Sequence, residues 1–207
     1  MAKVDSPHIA RYYAMVEWFD ETVGELVGHI DKKGLGKDTI IIYVTDNGWI
    51  QNSKGRGYDL KSKRSQYDGG TRTPIMVRWP GKVPVGRVND AIFATIDFMP
   101  TFANLCGFEV PKGRRIDGMN QTDLILGKRE TGREYFYFNK AGVRKGKWKY
   151  LKPDAHFYGY AVEDDRKKVD ELYDLEADLG ERTNLAPNHP KIVAQLRQLM
   201  ENISKGK

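Results

Sequence analysis

Two short polar segments of this 207-residue chain carry side chains that are suited to binding ions. The first is Asp46-Asn47, which directly follows an apolar run and offers a carboxylate oxygen and an amide oxygen side by side. Hard oxygen donors of this kind are the ligands that Ca²⁺ and Mg²⁺ prefer. Because Asp-Asn-Gly is also a common turn sequence, these residues alone leave a metal site and an ordinary turn both open.

The second segment spans residues 61–70 and has the sequence KSKRSQYDGG. It contains Lys63, and a lysine ammonium is a point charge that suits phosphate or sulfate oxygens. Gly69 and Gly70 allow the backbone to turn tightly. A solvated basic loop has the same composition, so on these residues alone an anion site and a plain surface loop are both possible interpretations.

A third candidate is the basic run over residues 140–152, which is interleaved with Trp148 and Tyr150. Basic and aromatic side chains together can bind single-stranded nucleic acid, yet no RNA-binding signature accompanies them. The alternation is more typical of the wet face of a β-hairpin. We therefore expect mostly exposed basic side chains and weak, salt-sensitive binding to sulfated polysaccharide and nucleic acid alike, without a specific nucleic-acid sequence as partner.

Other nucleophiles and metal ligands are sparse. The four histidines follow no metal-binding spacing, and Cys106, the one cysteine, excludes an internal disulfide and is predicted to be a buried small apolar residue. The chain has no Gly-x-Ser-x-Gly elbow and no glycine-rich phosphate loop. We assign no catalytic residue from the sequence.

The elements that would position Asp46 and Lys63 are readable. Ser6-Pro7 begins a helix predicted over residues 7–33, whose apolar stripe should face a core. Residues 39–45 are apolar without polar alternation, which predicts a strand buried on both faces of a parallel sheet. Asp46-Asn47 would then lie at the carboxyl end of that strand, where open α/β sheets bind ligands.

The remaining elements suggest two parts. A strand is predicted over residues 75–79 and a helix over 97–105, whereas the chain after residue 130 is rich in aromatic residues and short strands. Four such strands and a final helix beginning at Pro190 indicate an antiparallel meander with one helix. We expect an α/β part over residues 1–130 and a small β-plus-helix part over residues 131–207.

The overall charge favours anionic partners without selecting one. There are 34 basic and 28 acidic residues, a net charge of +6, which suits nucleic acid, anionic polysaccharide, or phosphate and sulfate esters. The apolar runs are too short to cross a bilayer. Residues 1–30 carry charges throughout and show no signal peptide, so the sequence indicates no compartment.

In combination, these motifs resemble the C-terminal half of the type I sulfatases, which belong to the alkaline-phosphatase-like superfamily. The likeness covers nearly the whole chain and rests on YYAMVEWFDETVGEL, TIIIYVTDNG, KSKRSQYDGGTRTPIMVRWPG, VRKGKWKYLK and ELYDLEADLGERTNL, in that order. It implies an α/β fold: part of a parallel or mixed sheet with flanking helices, followed by a small antiparallel sheet with a terminal helix.

The resemblance also implies site residues. Asp46 and Asn47 match the Asp-Asn pair that ligates the family's active-site Ca²⁺, and Lys63 matches the lysine that contacts the substrate sulfate. Asp68 stands where the family commonly has glutamate. The implied activity is hydrolysis of a sulfate ester by a hydrated formylglycine that attacks sulfur, and the implied substrates include sulfated polysaccharide. Members are often periplasmic, secreted or lysosomal.

Several family features are absent from this sequence. The Cys/Ser-x-Pro/Ala-x-Arg motif that yields the formylglycine is missing, as are the further aspartate ligands and the lysine and histidines that precede this region in the family. We therefore expect an N-terminal half as a partner and an inactive isolated chain, whether the sequence is a truncated gene model, a split gene or a remnant. The alternative is a non-catalytic module that binds anionic glycans or nucleic acid through a basic face.

Overall fold

The computed structural model describes residues 6–49, 61–138, 140–153, 155 and 169–206. The chain divides into two compact units, Met1–Lys82 and Val83–Lys207. The boundary predicted from the sequence near residue 130 marks a change from α/β to antiparallel β character. It lies inside the second of these units, and the predicted division stays a prediction. None of the helices in the described ranges is long and apolar enough to span a bilayer.

The first unit begins with helix α1, Pro7–Lys32, close to the predicted 7–33. Pro7 occupies its first turn, and Gly34 follows its end in the left-handed conformation (φ 73°) that glycine adopts easily. The prediction that its apolar stripe faces a core is wrong for the described chain, because no residue of α1 is buried. Phe19 and Leu26, both in that stripe, are 48% and 57% exposed.

The strand predicted over residues 39–45 is β1, Ile41–Val44. It pairs with β2, Ile75–Arg78, and the pairing is antiparallel, with Val44 opposite Ile75. Among the strands that the structure describes, β1 has an antiparallel neighbour alone, so the parallel strands that its two apolar faces predict would have to come from outside the described residues. A two-stranded sheet cannot enclose its own members, and all four residues of β1 are only half-buried. The single-turn helix α2, Asp68–Thr71, lies between the strands in sequence and was not predicted.

In the second unit, helix α3 spans Phe98–Cys106 and helix α4 spans Thr122–Ile125. Asp97 is fully buried where α3 begins and accepts hydrogen bonds from Arg133 Nε (2.8 Å) and from the Met119 amide (2.7 Å). This carboxylate ties α3 to the loops that follow it. Cys106 is exposed, so its predicted burial is wrong.

The antiparallel meander is confirmed. Its sheet has the order β3-β4-β5-β6, formed by Tyr135–Phe138, Gly142–Lys145, Trp148–Leu151 and Glu171–Asp174. Helix α5, Pro190–Ser204, packs on this sheet. Val143 and Leu172 of the sheet are fully buried, and Leu196 of α5 is 5% exposed. The second unit thus has a closed apolar core.

Candidate functional site

The structure places Asp46 and Asn47 immediately beyond the carboxyl end of β1, as predicted from the sequence. The Thr45 hydroxyl donates to the Asn47 carbonyl (3.1 Å), and the Asn47 side-chain nitrogen donates to the Gly48 carbonyl (3.1 Å). The amide nitrogen of Asn47 is therefore engaged, while its side-chain oxygen makes no hydrogen bond to the described residues. Asp46 is exposed.

Backbone hydrogen bonds join this turn to the lysine segment. The Gly48 amide donates to the Gly70 carbonyl (2.9 Å), and the Lys63 amide donates to the Trp49 carbonyl (2.6 Å). The approach is close, because a Cβ on Gly48 would lie 2.2 Å from the Gly69 carbonyl oxygen. Glycine is required at position 48 for this reason. The two segments singled out in the sequence therefore lie against each other.

A buried scaffold supports Lys63. Tyr67 and Asp68 at the start of α2 are 5% and 6% exposed, and Lys61 Nζ lies 4.6 Å from the centre of the Tyr67 ring. A Cβ on Gly69 would lie 2.2 Å from the Lys61 carbonyl oxygen, so this scaffold is also packed at backbone distance. Lys63 itself is half-buried.

The charges of Asp46 and Lys63 have no protein partner in the ranges that the structure describes. No ion pair joins them to each other, whereas Asp31 in the same unit pairs with Arg78 at 2.8 Å. A carboxylate and an ammonium that stay unpaired on adjoining segments are available to a cation and an anion respectively.

The donor set fits part of a calcium shell. Asp46 and Asn47 supply hard oxygens, but Ca²⁺ takes about six to eight of them. Among the residues described, no group of three or more His, Cys, Asp or Glu side chains could hold a metal ion. These two residues can thus contribute ligands to a metal, and further ligands would have to come from elsewhere.

Three of the six basic residues in the run over residues 140–152 form ion pairs. Lys145 pairs with Glu134 (2.7 Å), Lys147 with Asp174 (2.6 Å) and Lys149 with Glu181 (3.0 Å). The prediction of mostly exposed basic side chains is wrong at Lys149, which is fully buried. Its ammonium contacts the Glu181 carboxylate and the Phe138 ring, whose centre lies 4.9 Å from Lys149 Nζ.

Two residues of the site were missed in the sequence. Gly48 belongs to a turn motif, and nothing in that motif indicates that the Gly69 carbonyl approaches it. Arg64 has a positive φ of 75°, a conformation that residue type predicts for glycine or asparagine and not for arginine. Only the three-dimensional structure reveals either requirement.

Comparison with known proteins decides the family. A family model described as Sulfatase matches residues 2–108, and one described as N-sulphoglucosamine sulphohydrolase, C-terminal, matches residues 57–206. The chain belongs to the sulfatase family. It is 33% identical to an N-acetylgalactosamine-6-O-sulfatase of Bacteroides thetaiotaomicron, over 89% of this chain and 40% of that protein. It is 30% identical to a choline-sulfatase of Rhizobium meliloti, over 86% of this chain and 33% of that protein.

Solved sulfatase structures confirm the expected α/β fold. One, from work on glycosaminoglycan metabolism by Bacteroides thetaiotaomicron, has a TM-score of 0.75 at 33% identity and covers 90% of this chain and 43% of that one. Another, in complex with its substrate D-glucosamine-2-N,6-O-disulfate, has a TM-score of 0.72 at 29% identity. It covers 94% of this chain and 40% of that one. The chain therefore spans about 40% of the length of these relatives.

Proposed function

We propose that this chain is the C-terminal portion of a sulfuric ester hydrolase, in which Asp46 and Asn47 ligate Ca²⁺ and Lys63 contacts the substrate sulfate. One observation carries the proposal. The Asp46 carboxylate and the Lys63 ammonium, which have no partner among the described residues, are held on two segments that the Gly48–Gly70 and Lys63–Trp49 backbone hydrogen bonds join. A sulfate group bound beside a cation requires both charges.

The chemistry of each group follows from its charge. A Ca²⁺ ion bound there would draw negative charge from the sulfate oxygens. The Lys63 ammonium would orient the same anion and neutralise a further oxygen. Neither group can attack sulfur, so we expect the isolated chain to hydrolyse no sulfate ester at a useful rate. With only two side-chain ligands, it should also bind Ca²⁺ weakly.

The proposed substrate is a sulfate ester of a sugar. The relatives include an N-acetylgalactosamine-6-O-sulfatase, and one solved neighbour holds D-glucosamine-2-N,6-O-disulfate. These names describe those proteins. We extend the class of sulfated saccharide to this chain because it is 33% and 29% identical to these two proteins over 89% and 94% of its length.

The proposed partner is a polypeptide equivalent to the part of the relatives that this chain does not match. Helix α1 presents Met15 and Trp18, which are 66% and 70% exposed, next to the exposed members of its apolar stripe. Large apolar side chains exposed together on one helix mark a contact site or an aggregation hazard. We infer that the remainder of a sulfatase fold covers α1, either in the same chain or as a second one.

Co-expression tests the proposal. The 207-residue chain, alone and with an N-terminal sulfatase portion that carries the Cys/Ser-x-Pro-x-Arg motif, would be assayed on a chromogenic aryl sulfate with and without Ca²⁺. We expect turnover only from the combination, a loss of about 100-fold or more in Lys63→Ala, and a similar loss in Asp46→Ala. Lys145→Ala, at a lysine that pairs with Glu134, is the matched control and should retain activity.

Two outcomes would contradict the proposal. Turnover by the isolated chain that disappears in Lys63→Ala would show that this chain already holds a complete site. An active combination that is indifferent to Lys63→Ala would remove the sulfate contact. The alternative function, a module that binds anionic polymers through residues 140–152, is not favoured, because three of its lysines are already paired with carboxylates.

A further inference from the structure

Lys63 lies in a tight turn whose type can be assigned. The Ser65 amide donates to the Ser62 carbonyl (3.0 Å), which closes a four-residue turn with Lys63 and Arg64 at its centre. Arg64 has φ 75°, and Lys63 is not among the residues of positive φ. A positive φ at the third position alone defines a type II turn. Glycine or asparagine is the usual residue there, and this chain has arginine.

The surroundings enforce this strained backbone. The Ser65 hydroxyl also donates to the Ser62 carbonyl (2.6 Å), and both serines are buried, at 2% and 5% exposure. Gly70 packs directly beneath the turn, since a Cβ there would lie 2.2 Å from the Ser62 carbonyl oxygen and 2.8 Å from the Ser65 hydroxyl. A non-glycine residue keeps a positive φ only where such contacts over-determine it.

Lys63 is thus fixed from two directions. The turn sets its position relative to α2, and its own amide is bonded to Trp49, three residues after Asp46. A lysine side chain has four flexible carbons and loses conformational entropy when it binds an anion. A fixed backbone removes part of that loss before the ligand arrives.

We propose that Arg64 is a positioning residue: its left-handed backbone, clamped by Ser65 and Gly70, presents the Lys63 ammonium to the substrate sulfate. The inference rests on the proposed function of Lys63. It assigns to Arg64 a role through its backbone, and the charge of its guanidinium is not part of that role.

A pair of substitutions separates backbone from side chain. Arg64→Gly and Arg64→Val both remove the guanidinium, but glycine adopts a positive φ freely, whereas a β-branched residue strongly resists it. Lys140 provides a matched control in the other unit, since it has φ 64° inside a turn closed by the Ala141 amide and the Phe138 carbonyl (2.7 Å). Lys140→Gly and Lys140→Val repeat the same contrast at a turn that does not contain Lys63.

The measurement is the acylation rate of Lys63 in the co-expressed combination of this chain with an N-terminal sulfatase portion, in the presence of Ca²⁺. The rate is read by peptide mass spectrometry with and without inorganic sulfate. Sulfate should protect Lys63 from acylation in the wild type and in Arg64→Gly, and the sulfate concentrations needed in the two proteins should agree to within about twofold. In Arg64→Val, sulfate should be needed at about tenfold higher concentration for the same protection. Hydrogen exchange of the Ser65 amide should quicken in Arg64→Val and not in Arg64→Gly. Neither Lys140 variant should alter the protection of Lys63.

The outcomes are distinguishable. Equal loss of protection in both Arg64 variants would show that the guanidinium itself holds the anion. Equal retention of protection would show that the turn does not position Lys63. Either outcome overturns the inference about Arg64 and leaves the proposed sulfate contact of Lys63 standing. No protection by sulfate in the wild type overturns the proposed sulfate contact and the inference with it. Should circular dichroism show that Arg64→Val does not fold, Arg64→Asn against Arg64→Ala repeats the contrast with less strain, because asparagine tolerates the left-handed region.

Discussion

Helices α1 and α5 carry the same kind of apolar stripe, yet only α5 has it covered. Val193, Leu196 and Met200 of α5 are between 5% and 8% exposed. Helix α1 is longer, with 26 residues against 15, and none of them is buried. Its Trp18 is 70% exposed.

The difference lies in what each helix packs against. Helix α5 lies on a four-stranded sheet whose Val143 and Leu172 are fully buried. Among the described residues, helix α1 contacts the two-stranded β1–β2 sheet, where the Phe19 and Tyr43 ring centres are 5.8 Å apart. It also contacts Trp49, whose ring centre lies 4.9 Å from that of Tyr12. Two strands offer too little apolar surface for independent stability.

The contrast shows what helical periodicity can and cannot predict. A stripe predicts that a helix face will be covered, but it does not say which polypeptide covers it. The candidate site lies in the uncovered unit, beside β1 and α2. The unit that closes its own core contains neither Asp46 nor Lys63, so folding of the second unit and assembly of the site are separable properties.

The largest expected effect is a loss of stability of the second unit when its buried ion pair is broken. Lys149→Met removes one partner of a fully buried ion pair and leaves the Glu181 carboxylate buried without it. We expect a loss of about 3–5 kcal/mol in the free energy of unfolding, measured by urea denaturation. The same change at Lys145, whose pair with Glu134 is exposed, should cost about 1 kcal/mol or less.

A double variant checks the cause. Lys149→Met combined with Glu181→Leu removes both charges, and apolar replacements of a buried pair are often close to neutral. Recovery of most of the lost free energy in the double variant is therefore expected. If the double variant is as unstable as the single one, the loss comes from packing and not from an uncompensated charge.

One substitution made on both helices tests the comparison itself. Leu196→Ala removes a buried side chain from α5 and should cost about 2–5 kcal/mol. Leu26→Ala removes a side chain from α1 that is 57% exposed, and it should change the free energy of unfolding by no more than about 0.5 kcal/mol. Hydrogen exchange of the amides in each helix reports the two free energies separately. A Leu26→Ala cost as large as that of Leu196→Ala would show that the isolated chain covers α1 in solution.

The sequence predicted the elements better than their surroundings. The helix expected over residues 7–33 is Pro7–Lys32, and the strand expected over 135–138 is found there, because periodicity and capping act locally. The direction of β2 relative to β1 was not predictable, since apolar residues on both faces indicate burial and say nothing of orientation.

The site shows the same division. Asp46 and Asn47 could be placed beyond β1 because a strand end is a local feature. The burial of Lys149 could not be predicted, because its partner Glu181 lies more than thirty residues further along the chain and only the structure brings the two side chains together. The strained φ of Arg64 has no residue-type signal at all, and it exists because Ser65 and Gly70 enforce it.

The Asp97 carboxylate, which ties α3 to the loops that follow it, is expected to make a smaller contribution to stability, and this contribution should depend on pH. Burial alone would raise the pKa of Asp97, but hydrogen bonds from Arg133, Met119 and Ala94 outweigh it and lower the pKa below the ordinary aspartate value of 3.8. A carboxyl whose pKa is lower in the folded state stabilises the fold above its unfolded pKa, and this stability is lost as the pH falls through the folded pKa. The second unit should therefore lose stability below about pH 4.

Asp97→Asn should cost about 1.5–3 kcal/mol at pH 7 and flatten the acid limb of stability against pH, measured by thermal unfolding. Asp31→Asn is the control in the first unit, because the Asp31–Arg78 pair is substantially exposed, and its cost should be about 1 kcal/mol or less. An acid limb that is unchanged in Asp97→Asn would mean that other carboxyl groups govern the loss of stability.

The smallest expected effect concerns Tyr150, which links the sheet to α5. Its hydroxyl donates to Asp170 (2.6 Å), and Asp170 also pairs with Arg197 of α5 (2.6 Å). Burial and the hydrogen bond to Asp170 raise the pKa of Tyr150 from 10.0 to about 12. A group whose pKa is raised by folding stabilises the fold fully below its unfolded pKa, so this contribution should be lost as the pH rises from about 10 to about 12.

Tyr150→Phe should therefore destabilise the second unit by about 0.5–1.5 kcal/mol at pH 7, the usual net worth of one hydrogen bond, and weaken the loss of stability between pH 10 and pH 12. Far-UV circular dichroism during urea unfolding at a series of pH values measures both effects. Tyr13→Phe on α1, at a tyrosine that is 49% exposed, should change the stability at pH 7 by less than about 0.5 kcal/mol. Equal effects of the two substitutions at pH 7 would show that the Tyr150 hydroxyl stabilises the second unit no more than the exposed Tyr13 hydroxyl stabilises the first. The contrast between the two units would then be limited to their apolar contacts.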